Sequence, residues 1–288
     1  MHLTSTANRV KNGNSATARP QNRLGLSVAA RNFGNVPIRE SLEKIAEIGF
    51  DTCDNFDWRN PAEFAEYRKG LVELNLGAGV LVVNKKPDVN ALGCSLVSGE
   101  EREGFLEELR LCIDAAHQVN CNRLEVLTGN QVDGFSRATQ MDTAIDTLQA
   151  AVPLLEANGM TAVVELLNST VDHPGYFLNL VEDGVEMIRR VGSPHVKLLF
   201  DMYHVQVMQG NLIQRIRDSF DYVGQYHFAD VPGRHEPGTG EINFRNVFKA
   251  LHDLQYEGFV TAEYHPTDFS FRDLEAVKLL ATFAGEER

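Results

Sequence analysis

From Leu24 to the C-terminus, strand-like and helix-like segments alternate along the chain, and this alternation restricts the fold more than any other sequence feature. The strand-like segments are short apolar runs, such as residues 161–165 and 196–201, which are typical of strands buried on both faces. The helix-like segments are longer and amphipathic, as over residues 137–158, where Gly159 provides a C-terminal stop. Uninterrupted alternation of this kind predicts a parallel sheet covered by helices.

The sequence contains eight successive strand–helix units. Strands are predicted over residues 24–29, 52–56, 77–83, 123–128, 161–165, 196–201, 223–227 and 258–263. Helices are predicted over residues 37–48, 61–74, 100–119, 137–158, 179–191, 212–220, 244–254 and 273–283. Eight repeats in roughly 260 residues predict an α/β protein with a single closed (β/α)8 TIM barrel. A doubly wound open sheet is the alternative, but the glycine fingerprint GxGxxG is missing after the first strand.

Polar side chains stand at the ends of the last four predicted strands. The runs TAVVE, VKLLFD, VGQYH and GFVTAE finish at Glu165, Asp201, His227 and Glu263. In a barrel, the C-terminal ends of all strands open onto one face, so these four side chains are expected to converge there. Simpler interpretations also exist: Asp201 is placed to cap the next helix, the acids could form separate salt bridges, and His227 could be a core histidine. Four such residues on consecutive strands favour a shared site.

These three carboxylates and one imidazole form a ligand set without a thiolate. Hard oxygen donors favour Mg2+, Mn2+ or Co2+, whereas structural zinc more often takes Cys and His. Like charges within a few ångströms of one another cannot all stay ionised unless a cation balances them. The sequence therefore predicts one divalent metal ion, Mg2+, Mn2+ or Co2+, as a cofactor at the four strand ends.

The charge balance excludes some classes of partner. The formal net charge is −13, with 27 basic and 40 acidic residues, whereas phosphate-binding surfaces depend on Lys and Arg. We therefore expect neither nucleic acid nor an anionic membrane surface as a partner. No apolar run reaches the roughly 18 residues that a transmembrane helix needs. The four cysteines lack CxxC or metal-type spacing and fit a reducing, cytoplasmic location.

Residues 1–23 differ from the rest of the chain. They are rich in Asn, Ser, Thr and Ala, show no apolar periodicity, and belong to a stretch in which no acid precedes Glu40. We interpret residues 1–23 as a disordered N-terminal extension and residues 24–288 as the TIM barrel domain. A targeting remnant is the alternative, although the hydrophobic core of a secretory signal is missing.

Longer stretches resemble a known family. The runs VELLNSTVDHPGYF, KLLFDMYHVQVMQGNL and GRHEPGTGEINF, together with the closing EYHP, are similar to hydroxypyruvate isomerase. More broadly, the chain from Leu24 onward resembles the xylose isomerase-like TIM barrel superfamily of sugar isomerases and epimerases. Two positions depart from the family pattern: some hydroxypyruvate isomerases have glutamine where His227 stands, and Leu166 replaces an expected proline. These departures leave the substrate less well defined than the site.

The resemblance implies roles for the four strand-end residues. The implied metal ligands are Glu165, Asp201, His227 and Glu263. Glu165 and Glu263 would also form a proton-transfer pair. Moving a carbonyl group between adjacent carbons requires removal of a proton next to it, and the resulting enediolate needs nearby positive charge. Two carboxylates beside one metal ion would meet both requirements.

The resemblance also implies substrate contacts outside the strand ends. His204, three residues after Asp201, and Arg234, in the loop after the seventh strand, would contact substrate oxygens. For Arg234, a rigid turn with a solvated guanidinium is the alternative. His173 in the DHPG run and the nearby Asn168 are further candidates for the mouth of the site, and each is as readily structural.

The favoured function is a metal-dependent isomerase of a small hydroxy-carbonyl compound, of the hydroxypyruvate/tartronate semialdehyde type. A ketose 3-epimerase or another sugar isomerase with the same site is the alternative. A phosphodiesterase acting on damaged DNA is less favoured, because it would need more metal ligands and a basic groove. A non-catalytic sugar-binding barrel is a further alternative. The expected partner is a small-molecule substrate, and a homo-oligomer is compatible with the sequence.

Overall fold

The structure is a computed structural model that describes residues 24–84 and 93–286, so the predicted extension over residues 1–23 lies outside the described residues. The strands are β1 Gly25–Ala29, β2 Thr52–Asp54, β3 Gly77–Ala78, β4 Leu81–Val82, β5 Arg123–Val126, β6 Thr161–Glu165, β7 Val196–Asp201, β8 Val223–Phe228 and β9 Phe259–Ala262. The α-helices are α1 Ile38–Ile48, α2 Pro61–Glu73, α3 Arg102–Gln118, α4 Arg137–Asn158, α5 Val181–Val191, α6 Met202–Met208, α7 Leu212–Ser219, α8 Phe244–Asp253 and α9 Arg272–Glu286. Within the described part of the chain, no helix is both long and apolar enough to cross a bilayer.

All the strands pair in parallel and form one sheet, in the order β3-β2-β1-β9-β8-β7-β6-β5-β4. The two strands at the ends of this order, β3 and β4, follow one another in the chain and are joined by Gly79 and Val80. The sheet therefore curls into a nearly closed barrel whose gap falls within the third predicted strand. The predicted (β/α)8 TIM barrel is confirmed, with its third strand in two pieces.

The break between β3 and β4 lies where the backbone passes a buried carboxylate. A Cβ atom added at Gly79 would lie 2.1 Å from Oδ1 of Asp54, which is fully buried on β2. Only glycine permits this approach, and glycine weakens strand pairing. Pairing resumes at Leu81, which lies opposite Leu124 of β5.

Helix boundaries follow the capping residues in the sequence. The Ser136 hydroxyl accepts a hydrogen bond from the Thr139 backbone N–H at 3.1 Å and begins α4. Gly159 ends the same helix with a φ of 65°, a left-handed conformation that glycine adopts without strain. In α2, the Asn60 side chain caps the first turn and Pro61 occupies the first helical position. The bounds predicted for α4 are therefore correct at both ends.

Inside the barrel, the side chains of β6 to β9 form two levels. The lower level contains Val163 and Leu199, which pack with Val80 in a small apolar cluster separate from the main core. It also contains Gln225 and Thr261, whose side chains are joined by a hydrogen bond of 2.8 Å. Because alternate residues of a strand share a face, the residues two positions further along each strand also point into the barrel. Those residues form the upper level, at the C-terminal mouth.

Helix α6 is the one α-helix of the described residues that the sequence pattern does not predict. It has seven residues, which is too short for an apolar period to be read, and it starts directly after β7. Oδ1 of Asp201 accepts hydrogen bonds from the backbone N–H groups of Tyr203 at 2.8 Å and His204 at 3.4 Å. The capping interpretation of Asp201 is therefore confirmed, and its second oxygen remains available to the barrel mouth.

Candidate active site and metal centre

Four side chains meet in the upper level of the barrel. Glu165, Asp201, His227 and Glu263 come from the ends of β6, β7, β8 and β9, and each offers one ligand atom within 4.8 Å of the others. All four residues are buried. Asp201 of β7 lies directly opposite His227 of β8, whereas Glu165 and Glu263 are each offset by two residues in the register of their neighbouring strands. The structure thus brings together the four side chains that the sequence selects as metal ligands.

Within this cluster, His227 lies close to both glutamates. His227 Nδ1 lies 3.2 Å from Glu263 Oε2 and 4.0 Å from Glu165 Oε1. The donor atoms are carboxylate oxygens and one imidazole nitrogen, which is a set that suits Mg2+, Mn2+ or Co2+. The chemistry and the spacing of these donors therefore fit a single divalent ion. The alternative of a separate salt bridge for each acid is wrong, because Asp201 and Glu263 share Arg234.

Burial and mutual repulsion raise the pKa of two carboxyl groups in the cluster. For Glu165 the largest cause is burial, followed by the charges of Glu125, Glu263 and Asp201. For Asp201, burial raises the pKa although the charge of Arg234 opposes the change. Both carboxylates are thus less stable in the ionised form than they would be in water, and nearby positive charge would stabilise them.

His227 responds in the opposite sense. Burial alone lowers its pKa, but the hydrogen bond to Glu263 and the charges of the surrounding carboxylates raise it to about 9. The cluster is therefore stabilised by positive charge, which either a proton on His227 or a metal ion can provide. A metal ion and that proton compete for the same imidazole nitrogen.

Arg234 reaches the cluster from the loop after β8. Its guanidinium Nη2 lies 3.0 Å from Glu263 Oε2 and 3.5 Å from Asp201 Oδ2. Only 7% of the residue is exposed, so the alternative of a solvated arginine in a rigid turn is wrong. A buried guanidinium between two carboxylates balances part of their negative charge.

The loop that carries Arg234 is built around the buried carboxylate of Asp230. This carboxylate accepts hydrogen bonds of 2.8 to 3.0 Å from the backbone N–H groups of Val231, Gly238, Gly240 and Ile242. Arg234 itself has a φ of 56°, which is unusual for a residue with a side chain. The His265 backbone N–H donates to the Arg234 carbonyl oxygen at 2.7 Å and holds this conformation. Loop geometry therefore fixes the direction of the arginine.

His204 lies beside the cluster, with His173 and Asn168 next to it. His204 is buried on α6, and its Nε2 is 3.6 Å from Oδ2 of Asp201. Its Nδ1 is 2.7 Å from Nδ2 of Asn168, and its ring packs against that of His173 with centroids 5.4 Å apart. His173 is therefore one ring further from the metal cluster. Substrate contact by His204, Arg234 or His173 stays a prediction.

A cavity of about 530 Å³ lies between the loops that follow β1 and β2. Aromatic side chains, among them Phe33, Phe56 and Trp58, form part of its wall. Asn55 also lines the cavity, and its Nδ2 lies 3.4 Å from Glu263 Oε1. Asn55 therefore lies between this cavity and Glu263, and none of the four cluster residues lines the cavity.

Two polar residues near the cluster, Glu125 and Asn55, are not among the site residues predicted from the sequence. Glu125 is a buried acid within the apolar run of β5, and its charge is one cause of the raised pKa of Glu165. Asn55 follows β2 directly and has a φ of 54°, in the left-handed region that asparagine tolerates. An acid inside a buried strand was a usable signal for Glu125. Asn55 offered none, because its contact with Glu263 spans most of the chain.

Comparisons with known proteins agree with this architecture. The profile of the xylose isomerase-like TIM barrel family matches residues 42–281. A Danio rerio protein, provisionally named hydroxypyruvate isomerase, is 35% identical over 82% of this chain and 87% of its own length. The hydroxypyruvate isomerase of Escherichia coli K12 is 32% identical over 81% of this chain and 90% of its own. A crystal structure from Brucella melitensis, described as a family 2 AP endonuclease, has a TM-score of 0.80 at 26% identity and covers 92% of this chain and 100% of that one.

Proposed function

The chain belongs to the xylose isomerase-like TIM barrel family, and we propose that it is a metal-dependent isomerase that interconverts hydroxypyruvate and tartronate semialdehyde through an enediolate. Its relatives are named hydroxypyruvate isomerase or 2-oxo-tetronate isomerase, which makes this chain an isomerase by family. The observation that supports the finer proposal is the convergence of three carboxylates and one imidazole within 4.8 Å at the barrel mouth.

Glu165, Asp201, His227 and Glu263 are the residues that would hold the metal ion. When bound, a divalent ion supplies positive charge that stabilises negative charge developing on substrate oxygens. It would also remove the electrostatic cost of burying these acids together. The remaining chemistry falls to the side chains themselves.

We assign proton transfer to the two glutamates. Glu165 ends β6 and Glu263 follows β9, and β7 and β8 separate these strands in the sheet, so the carboxylates reach the cluster from different sides. One carboxylate removes a proton from C3 of hydroxypyruvate, the C–H electrons form the C2=C3 double bond, and negative charge moves to the C2 oxygen. The C3 hydroxyl then loses its proton and the C2 oxygen gains one. The other glutamate, starting as a carboxylic acid, protonates C2 while the C3 oxygen becomes the aldehyde.

This sequence of steps is balanced without a further reactant. One glutamate gains a proton and the other loses one, so exchange with water restores the pair after each turnover. Burial raises the pKa of Glu165 and so favours its protonated form, which suits a carboxyl group that must exist in both forms during turnover. Arg234, 3.0 Å from Glu263, would bind an anionic group of the substrate and fix its orientation.

A deuterium experiment tests this function. Metal-stripped enzyme is mixed with hydroxypyruvate in deuterium oxide, with and without Mg2+, Mn2+ or Co2+, and the products are followed by NMR. We expect tartronate semialdehyde only when metal is added, with solvent deuterium at C2. An active enzyme that contains no metal, or a product without deuterium at C2, would contradict the two-base, metal-dependent scheme.

A ketose 3-epimerase is the second candidate. The cavity of about 530 Å³ on the other side of Asn55 from Glu263 favours it, because this cavity offers space for substrate atoms beyond the reacting carbons. Epimerisation uses the same proton removal and return, but on opposite faces of one carbon. A panel of ketopentoses and ketohexoses, assayed under the same metal conditions, separates the two reactions by their products.

The site gives less support to phosphodiester cleavage. Of the described residues, only Glu165, Asp201, His227 and Glu263 form a group suited to hold a metal ion. A cluster of metal ions for phosphodiester cleavage would require more ligands than these. The net charge of −13 also opposes binding of a polyanion.

A further inference from the structure

The ring of His204 is held by hydrogen-bond donors on one side. Its Nδ1 lies 3.2 Å from the backbone nitrogen of Asn168 and 2.7 Å from the Nδ2 of the same residue. The backbone nitrogen carries a hydrogen and can only donate. His204 Nδ1 must therefore accept this bond.

The direction of the Asn168 amide is fixed independently. Its Oδ1 accepts hydrogen bonds from the backbone N–H groups of Val171 at 3.0 Å and Asp172 at 2.9 Å. Its Nδ2 donates to Asp172 Oδ2 at 2.5 Å as well as to His204. A rotated amide would set its NH2 group against two backbone donors and its oxygen against a carboxylate. The orientation with Nδ2 towards His204 is thus the one that satisfies every partner.

Two donors on Nδ1 determine where the ring proton of His204 resides. A neutral imidazole has one N–H, and a hydrogen on Nδ1 would clash with both donors of Asn168. The proton is therefore on Nε2, the atom that lies 3.6 Å from Asp201 Oδ2 and next to the metal cluster. His204 presents an N–H, and no lone pair, to the space beside the cluster.

We propose that Asn168 is a positioning residue that locks His204 as the Nε2–H tautomer, so that this imidazole donates a hydrogen bond to a substrate oxygen. The identification of that oxygen as a carbonyl or enediolate oxygen rests on the proposed isomerase function, whereas the tautomer assignment does not. A neutral donor stabilises charge on the oxygen without removing a proton from the substrate. Proton removal is then left to the glutamates, which avoids a competing base beside the reacting carbons.

The variant that tests this proposal is Asn168→Asp, in which an acceptor of nearly the same shape replaces the donor amide. A carboxylate in that position attracts a hydrogen on Nδ1. The backbone N–H of residue 168 opposes this change, but its nitrogen lies 3.2 Å from Nδ1 against 2.7 Å for the side-chain atom, so we expect the carboxylate to reverse the tautomer. The control is Asn179→Asp, which changes another asparagine of the same β6–α5 loop. Asn179 donates to Ser169 at 2.8 Å, and His204 is not its partner in that bond.

The tautomer is read by 15N NMR of histidine-labelled enzyme in excess Mg2+, and the His204 signals are assigned by their loss in His204→Gln. We expect Nε2 to be protonated in the wild type and in Asn179→Asp, and Nδ1 in Asn168→Asp. Thermal unfolding of Asn168→Asp is compared with that of the wild type. If the variant unfolds at a lower temperature, the spectra are recorded at a temperature at which it is folded. A wild-type His204 with its proton on Nδ1 would overturn the proposal.

Kinetics test what the tautomer does. Loss of one donor to a developing oxyanion lowers kcat by on the order of 100-fold, with a smaller change in KM. Asn168→Asp should show this loss and Asn179→Asp should not. A reversed tautomer with unchanged kcat would overturn the donor role. The NMR result is obtained without substrate, so failure of the wild type to convert hydroxypyruvate would contradict the proposed function and leave the tautomer assignment standing.

Discussion

Replacing Glu165 by glutamine should affect the metal-free and the metal-bound protein in opposite directions. Burial, and then the charges of Glu125 and Glu263, raise the pKa of Glu165, so its ionised form destabilises the metal-free fold. Glu165→Gln removes that charge, and we expect the metal-free variant to unfold at a higher temperature than the wild type. The same change removes a ligand, so the stabilisation by metal should decrease.

The size of the metal effect follows from binding linkage and chain length. At a metal concentration of about 100 times Kd, binding to the folded state alone adds ~2.7 kcal/mol to the free energy of unfolding. For a chain of 288 residues, the entropy of unfolding is about 0.6 kcal/mol per kelvin, so the melting temperature should rise by about 4 to 5 °C. In Glu165→Gln, the rise at the same metal concentration should be clearly smaller.

The pH dependence has a definite sign. A carboxyl group whose pKa is raised in the folded state favours folding below its unfolded value, 4.5 for glutamate, and this contribution is lost as the pH rises through the folded value. The advantage of metal-free Glu165→Gln over the wild type should therefore be absent at acid pH and grow above it.

Differential scanning calorimetry at several pH values, with and without Mn2+, measures both effects. Glu186→Gln, an exposed substitution on α5, is the matched control and should behave as the wild type. A Glu165→Gln variant that is less stable than the wild type without metal, yet keeps the full rise with Mn2+, would refute this reasoning.

Three further predictions concern individual residues of the site. Glu165→Gln and Glu263→Gln, each assayed at saturating metal, should remain folded but lose at least ~100-fold in isomerisation rate, and full activity of both would contradict two-base catalysis. Because the pKa of His227 is raised to about 9, a metal ion displaces its proton. Calorimetric titration at neutral pH should therefore show proton release on metal binding, with weaker binding as the pH falls, and binding without any proton release would contradict His227 as a ligand. Asp230→Ala leaves backbone N–H groups without an acceptor, so it should lower the free energy of unfolding by roughly 1 to 3 kcal/mol and raise KM. Arg234→Lys should raise KM alone. Equal losses of stability in the two variants would contradict the positioning role of Asp230.

The sequence was sufficient for the features that depend on local pattern. The bounds of α4 follow from Ser136 and Gly159, and those of β6 and β7 follow from short apolar runs between turn signals. The meeting of the four strand ends follows from barrel symmetry, since Glu165 and Asp201 must lie on one face once the sheet curls. These features require no knowledge of distant contacts.

Other features depend on contacts between distant residues, and no local pattern encodes them. The third strand is divided because Gly79 packs on Asp54, a residue of another strand. Arg234 is directed into the cluster by Asp230 and by the backbone of His265, which lies after β9. Asn55 reaches Glu263 across the barrel mouth. Such positions become predictable only after the fold is known.

The central claim is that one divalent ion is held where β6 to β9 end. Anomalous diffraction from crystals of the enzyme with Mn2+ and bound hydroxypyruvate tests it most directly. We expect a single anomalous peak within bonding distance of Glu165, Asp201, His227 and Glu263, with substrate oxygens beside it. An ordered site without a peak, or a peak bound by other residues, would contradict the claim.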